Sequence, residues 1–297
     1  MDKMTINQNA LELLFDHDVY AAQNLFRKNA KENPCWMTYQ NYGVFCSEEG
    51  RIRKNQCGKA ANRTAVRYLK KALREKPHPL TYIAWGHFYY SNQKYRDAAE
   101  QYALAYQRKA DWMTAHNCGA CWFDSKNYDR AVFWFSRALE TAPEGKKTET
   151  ATALAYAHFW SRDPDGTELC QQLCQSNRFD SWDAFILSAL CGKTEAAVKH
   201  AEEAWEQCFW GLSEMAILFD CLEQLGDTEK MLRFYNLQME KYNAFSHGSM
   251  EREKRKLRRI YRIRHVRQTV AEAFRPKPEH LSQCSYAGCM IHNNPFQ

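Results

Sequence analysis

Residues 81–110 read TYIAWGHFYYSNQKYRDAAEQYALAYQRKA, and residues 115–143 read AHNCGACWFDSKNYDRAVFWFSRALETAP. Apolar, aromatic or small residues recur at an offset of 33 positions in the pairs Tyr82/Ala115, Trp85/Cys118, Gly86/Gly119, Tyr89/Trp122, Ala98/Ala131, Tyr102/Phe135 and Ala105/Ala138. Within each copy, steps of three and four residues place these side chains on one face of a helix. Each copy is therefore predicted to form two helices, with breaks at SNQKY and DSKNY. Pro143 is expected to end the last helix, because proline cannot continue it.

The small residues of this pattern are expected where two helices approach closely, at Gly86, Ala98, Gly119 and Ala131. The order of aromatic, large residue with glycine, tyrosine, alanine, aromatic and closing proline resembles the tetratricopeptide repeat, whose period is about 34 residues. The resemblance implies a stack of helix pairs, since one pair cannot bury its apolar face alone.

The pattern extends beyond these two copies. An earlier copy has Gly43 in the glycine position, but the step from Gly43 to Gly86 is 43 residues. We assign the excess to a longer, basic connection between its two helices, EEGRIRKNQCGKAANR. A second helix with Ala22 and Phe26 precedes this copy, and weaker helix pairs follow the two quoted ones, the last with Asp227 or Thr228 as a helix cap.

The chain is therefore predicted to be all-α, as a right-handed superhelical solenoid of about six helix pairs with a concave groove and a C-terminal basic capping helix. Residues 1–243 are assigned to the repeat domain, which is clear over 15–145 and degenerate over 146–243. Residues 244–275 are predicted to form the capping helix, and residues 276–297 a C-terminal tail.

The resemblance implies a peptide-binding groove, because the first helix of each pair lines the concave face in tetratricopeptide repeat proteins. The candidate contacts there are Gln40, Ile83, His87, Tyr90, His116, Asn117 and Phe123. This mixture of aromatic, apolar, amide and imidazole groups suits an extended or helical peptide with apolar side chains. The alternative for each residue is simple packing. A clamp for a chaperone's terminal carboxylate is not favoured: Asn41 and Asn117 suit it, but Gln40 stands where the clamp needs lysine.

The positive charge is concentrated in one segment. The chain has a net charge of +6, and residues 251–275 contain ten Lys/Arg against three Glu. An apolar stripe of Ile260, Ile263, Val266, Val270 and Phe274 predicts an amphipathic helix that covers the end of the solenoid. The basic patch of Arg255, Arg258, Arg259, Arg262 and Arg264 exceeds what capping requires. It predicts, as an alternative function, attraction of nucleic-acid phosphates, with an acidic protein or anionic lipid as other partners.

The tail contains His280, Cys284, Cys289 and His292, four soft ligands that suit tetrahedral zinc. The spacing fits no standard zinc finger, so the alternatives are disorder or packing of the tail into the groove. Cys118 and Cys121 have a zinc-like spacing but occupy packing positions of the repeat, which favours a core role. No metal or other cofactor is predicted.

No catalytic motif is recognised, so the chain is predicted not to be an enzyme. It has no secretory signal and no apolar stretch of about 20 residues, which favours a cytoplasmic protein. The predicted function is an intracellular protein–protein interaction module, either an adaptor or scaffold or a co-chaperone-like protein. A peptide-responsive regulatory sensor is a further alternative. Sequence reasoning identifies neither the partner nor the oligomeric state, and leaves open whether the chain's own tail fills the groove.

Overall fold

The structure is a computed structural model that describes residues 3–52, 56–161, 168, 172, 181–190, 192–206, 210–244, 250–263, 285–287 and 289. Over these residues the elements are all helices, so the predicted all-α class is confirmed. The chain divides into two compact units. Unit 1 comprises Met1–Pro143 together with Lys277–Gln297, and unit 2 comprises Glu144–Pro276. No described helix has both the length and the apolar character needed to cross a lipid bilayer.

Unit 1 contains eight described helices that pack in chain order. They are α1 (Lys3–Phe15), α2 (Val19–Glu32), α3 (Trp36–Ile52), α4 (Gln56–Glu75), α5 (Pro79–Ser91), α6 (Tyr95–Arg108), α7 (Trp112–Asp124) and α8 (Tyr128–Thr141). Each odd-numbered helix packs against the helix that follows it, and neighbouring pairs also touch. The predicted breaks at SNQKY and DSKNY are confirmed, and α8 ends just before Pro143. The helix-pair stack is therefore present as expected.

Glycines allow the two helices of a pair to meet closely. If a Cβ were added, it would lie 2.9 Å from Leu69 at Gly43, 2.7 Å from Tyr102 at Gly86 and 2.8 Å from Phe135 at Gly119. These distances are too short for a real Cβ, so a large buried side chain of the second helix occupies the space that each glycine leaves. The close approach predicted at Gly86 and Gly119 is confirmed.

The predicted long connection in the pair α3–α4 is wrong. Helix α3 continues to Ile52 and α4 already begins at Gln56, so most of the additional residues lengthen the two helices. This stretch has no proline and is rich in Glu, Lys, Arg, Gln and Ala, which are good helix formers. The two extended ends also approach each other, because a Cβ on Gly50 would collide with the side chain of Asn62.

Unit 2 contains six described helices. They are α9 (Glu144–Ser161), α10 (Ser181–Leu190), α11 (Thr194–Ala204), α12 (Leu212–Leu225), α13 (Thr228–Ala244) and α14 (Met250–Ile263). The buried Trp210 centres its core, with ring centroids of Trp205 at 4.8 Å and Phe185 at 5.2 Å. The predicted partner helix of α9 lies mostly outside the described residues. Six complete helix pairs are described in the whole chain, four in unit 1 and two in unit 2.

The turn inside a pair keeps one backbone form even where sequence similarity fades. In five of the six described pairs, a residue with positive φ stands two positions before the second helix: His17 (65°), Gln93 (60°), Lys126 (62°), Gly192 (70°) and Gly226 (70°). In three of these turns the next residue caps the helix, because a side-chain oxygen accepts a hydrogen bond from a backbone N–H group of the first turn; these caps are Asp18, Asn127 and Asp227. The predicted cap at Asp227 is confirmed. Unit 2 thus has the repeat's turn, with glycine at the left-handed position.

The close approach at Gly86 leads to a first prediction. Gly86→Ala gains about 1 kcal/mol of helix propensity. Its Cβ collides with the Tyr102 ring, which is fully buried, and overpacking costs about 1–3 kcal/mol. A contact of 2.7 Å belongs in the upper part of that range, at about 2–3 kcal/mol, so we expect a net loss of about 1–2 kcal/mol in the free energy of unfolding, measured by urea denaturation. The control is Gly145→Ala, where nothing lies within 4 Å of the added Cβ. An unchanged or raised urea midpoint for Gly86→Ala would contradict the prediction.

Candidate functional site

The residues predicted to line the groove lie on α3, α5 and α7, and most of them are packed inside unit 1. Ile83 is fully buried, and His116 lies 5.2 Å from the Phe135 ring. Phe123 packs edge-on against Tyr128 at 5.2 Å. These contacts give the side chains a packing role. Their contact with a partner stays a prediction.

Tyr90 and His87 lie on α5, next to the pair formed by α7 and α8. The Tyr90 hydroxyl donates a hydrogen bond to Asp124 Oδ2 at the end of α7, at 2.8 Å. His87 is largely buried, with its ring 6.0 Å from that of Tyr102. Tyr90 therefore connects two first helices, and Asn117, two turns before Asp124 on α7, is fully buried.

Gln40 differs from the other predicted groove residues, because it contacts the C-terminal tail of the same chain. Its Nε2 group donates to Leu80 O at 3.0 Å and to Ser285 O at 2.8 Å. The Gln40 side chain is fully buried. The tail residues Ser285–Ala287 and Cys289, called the docked tail from here on, thus lie against the first helices of unit 1.

Two asparagines bind the backbone of one residue of the docked tail. Asn41 Oδ1 accepts from Ala287 N at 2.7 Å, and Asn41 Nδ2 donates to Ala287 O at 2.9 Å. Asn7 Nδ2 donates to the same carbonyl at 3.0 Å. Asn41 Nδ2 also donates to Asn7 Oδ1, which joins the two side chains. The N–H group and both lone pairs of the Ala287 carbonyl are therefore satisfied by asparagine side chains.

Side chains of the docked tail add apolar contact. Tyr286 stacks on Phe26 of α2, with ring centroids 5.6 Å apart and an interplanar angle of 17°. Cys289 is 1% exposed and belongs to the core cluster that includes Leu11, Phe45 and Trp85. The docked tail is held by both backbone hydrogen bonds and burial.

Sequence reasoning missed Asn7 and Phe26 as parts of this site. Asn7 and Asn41 are 34 residues apart, which is the repeat period, so both occupy the same position of successive first helices. That spacing is a signal that could have identified Asn7. Nothing in the sequence pattern distinguishes Phe26 from an ordinary core aromatic.

The zinc hypothesis concerns a tail that is only partly described. Cys289 is buried among apolar residues of unit 1, whereas His280, Cys284 and His292 lie outside the described residues. Within the described part of the chain, no group of three or more His, Cys, Asp or Glu side chains is placed to hold a metal ion.

The buried thiols of unit 1 have the properties of packing residues. Burial raises the pKa of Cys46 to about 12. It also raises the pKa of Cys118 and Cys121 well above the usual range for a thiol. The Cys118 thiol donates to Ala99 O at 3.2 Å. These thiols stay protonated at neutral pH, so they are neither activated nucleophiles nor ready metal ligands.

The basic patch lies partly on α14. Leu257 of this helix is fully buried, and the Tyr261 ring lies 4.5 Å from that of Tyr235 on α13. The arginines of the patch on α14 are exposed: Arg255, Arg258, Arg259 and Arg262. Arg264 and the remainder of the predicted helix, up to residue 275, lie outside the described residues. The capping role and anion binding both stay predictions.

Comparison with known proteins bears on the fold. No protein-family model matches the sequence, and no curated protein sequence matches it. A structure from the functional characterization of Pseudomonas aeruginosa pilF is similar at a TM-score of 0.50 and 14% identity, over 69% of this chain and 91% of that one. A tetratricopeptide repeat protein from Parabacteroides merdae is similar at a TM-score of 0.54 and 12% identity, over 86% and 98% of the two chains.

These similarities and the helix pairs of the two units agree with the resemblance found in the sequence. Close-approach glycines recur in three pairs of unit 1, and the same turn recurs in both units. Identities of 12–14% carry information on the fold alone. The chain has the fold of the tetratricopeptide repeat proteins.

Proposed function

We propose that unit 1 is a protein–protein interaction module that binds a non-helical peptide segment of a partner protein in the groove beside α1, α3 and α5. The observation that supports this proposal is the pairing of Asn7 and Asn41 with the backbone of Ala287. A groove that forms these bonds with the chain's own tail has the chemistry to bind another segment in the same way. Within this proposal, Gln40 extends the site by one further backbone contact, at Ser285 O.

Backbone recognition suits a module with a defined docking position. Each of these hydrogen bonds contributes about 0.5–1.5 kcal/mol net, and an unpaired buried partner costs about 1–3 kcal/mol. Main-chain bonds supply affinity for many sequences, whereas the pockets beside them select side chains. The groove is thus suited to an adaptor or scaffold. A peptide-responsive sensor would use the same contacts and would add a change of shape on binding.

The test uses a fluorescent synthetic peptide with the sequence of residues 281–293 and the full chain bearing Ala287→Arg. Ala287 is 1% exposed, so the arginine keeps the chain's own tail out of its position. Fluorescence anisotropy should show saturable binding of the peptide. A peptide with an N-methyl group on the alanine that matches Ala287 should bind at least about tenfold more weakly, because it lacks the N–H group that donates to Asn41 Oδ1.

The N-methyl comparison changes the peptide alone, so it is independent of the folding of the protein. No saturable binding of the unmodified peptide would remove the proposed function. Equal binding of both peptides would show that the groove does not recognise the backbone at this position. A single cooperative thermal melt of the Ala287→Arg chain, at a lower temperature than that of the wild type, verifies that the chain remains folded after the tail is released.

A further inference from the structure

We propose that the groove selects partner segments with a small residue seated at Asn7 and Asn41 and an aromatic residue immediately before it. We further propose that the docked tail is a tethered copy of such a segment, which a partner must displace. This inference rests on the proposed peptide-binding function of unit 1. The partner is thus a protein with an exposed non-helical aromatic–small dipeptide.

The position at Asn7 and Asn41 accepts only a small side chain. Ala287 is 1% exposed, and Asn7 and Asn41 are 1% and 0% exposed. Both asparagines are held in place by their mutual hydrogen bond and by the bonds to the Ala287 backbone. A long side chain on the bound residue would need to push apart groups that are already in contact, and such overpacking is costly.

The preceding position favours an aromatic ring. Tyr286 stacks on Phe26. Phe26 in turn packs against Phe45, with ring centroids 5.7 Å apart. Phe26 is itself almost fully buried, so its ring is a rigid platform. Aromatic pairs contribute about 0.5–1.5 kcal/mol beyond the burial of their area. The ring and the small residue together define the register in which a segment binds.

Within the part of the chain that the structure describes, the docked tail leaves a polar atom of Gln40 unused. Gln40 Oε1 is buried and finds no donor among the described residues, although the Nε2 group of the same amide bonds to Ser285 O. An unsatisfied buried acceptor is costly. A partner segment that places an N–H or O–H group at Gln40 Oε1 binds better, residue for residue, than the tail does. The tail is therefore a ligand that can be displaced.

Tethering decides how strongly the tail competes. A segment on the same chain acts at an effective concentration on the order of millimolar. Against a free peptide with a dissociation constant of about 10–100 μM, such a competitor weakens apparent binding by about 10- to 100-fold. A substitution that prevents the tail from docking should restore the full affinity of the groove for the free peptide.

The experiment titrates the labelled peptide of residues 281–293 against four full-length chains: wild type, Ala287→Arg, Ala287→Glu and Ala287→Gly. The two bulky variants should bind the peptide about 10- to 100-fold more tightly than wild type. The two variants carry opposite charges. If both bind the peptide more tightly, the cause is release of the tail and not electrostatic attraction of the peptide. Ala287→Gly keeps the backbone groups that the asparagines bind, so its tail should stay docked and its affinity should match the wild type.

The selection rule is tested on the Ala287→Arg chain with altered peptides. Tyr286→Ala in the peptide should weaken binding by about 2- to 10-fold, Tyr286→Phe, which keeps the ring, should weaken it less than Tyr286→Ala, and Ala287→Arg in the peptide should abolish it. Equal affinity of wild type and both bulky variants would overturn the tethered competition. Indifference to the peptide changes would overturn the selection rule. Both outcomes differ from failure of the proposed function, in which no chain binds the unmodified peptide.

Discussion

Replacement of Phe135 by alanine is expected to lower the free energy of unfolding of unit 1 by about 3–5 kcal/mol. Phe135 on α8 is fully buried. Its ring fills the space that Gly119 leaves and lies 5.2 Å from the His116 ring. After the substitution, alanine on one helix faces glycine on the other, so neither side chain fills the cavity. The cost is therefore the lost burial plus the cavity.

Phe133, two residues earlier on the same helix, provides the matched control. It is 52% exposed, so Phe133→Ala is expected to change the free energy of unfolding by no more than about 0.5–1 kcal/mol. Urea unfolding followed by circular dichroism measures both variants. Similar losses for the two substitutions would mean that the glycine–aromatic contact of α7 and α8 does not stabilise the unit as proposed.

The second large effect is expected for Asn41→Asp at neutral pH. The substitution keeps the shape of the side chain but replaces the Nδ2 donor by a carboxylate oxygen. This oxygen would face Ala287 O and Asn7 Oδ1, both of which are acceptors. A buried charge without compensation costs about 3–5 kcal/mol. The variant should relieve part of this cost by releasing the docked tail, which lets water reach the carboxylate.

The defect of Asn41→Asp should depend on pH with a defined sign. Burial raises the pKa of the introduced carboxyl above its value of about 3.9 in the unfolded chain. The protonated acid can donate a hydrogen bond to Ala287 O, as Nδ2 does in the wild type. The variant is therefore closest to wild type below about pH 3.9, and its relative stability falls as the pH rises towards the folded-state pKa.

Two measurements test this second prediction. Hydrogen exchange of the Ala287 amide should be slow in the wild type, and at pH 7 it should be fast in Asn41→Asp. The loss of unfolding free energy relative to wild type should be smaller at pH 4 than at pH 7. Asn24→Asp is the control, because Asn24 is partly exposed and accepts from Arg27 Nη2, so a carboxylate is tolerated there. Slow exchange in Asn41→Asp at pH 7 would show that the asparagine pair does not hold the tail.

The sequence by itself determined the helix pairs of unit 1, their breaks and their close contacts. Gly86 and Gly119 are followed by Tyr102 and Phe135 at the same spacing, and each aromatic fills the space beside its glycine. These features could be predicted because they depend on residues within one repeat, and because the same residues recur in the next repeat. The cap at Asp227 was predictable for the same reason, since a cap acts on its own helix. The lengths of α3 and α4 could not be predicted, because a spacing of 43 residues between Gly43 and Gly86 fits either a long loop or two longer helices.

Only the tertiary structure decided what occupies the groove. Ala287 and Asn41 are 246 residues apart, and the contact is formed by backbone groups that every residue possesses. Such a contact leaves no periodicity and no motif in the tail. The repeat spacing predicts that Asn7 and Asn41 occupy equivalent positions. Their role in binding the backbone of Ala287 depends on the tertiary fold, which places the docked tail beside them. Local spacing specifies a helix pair, whereas a contact between residues 246 positions apart forms only once the fold of unit 1 brings the docked tail to Asn41.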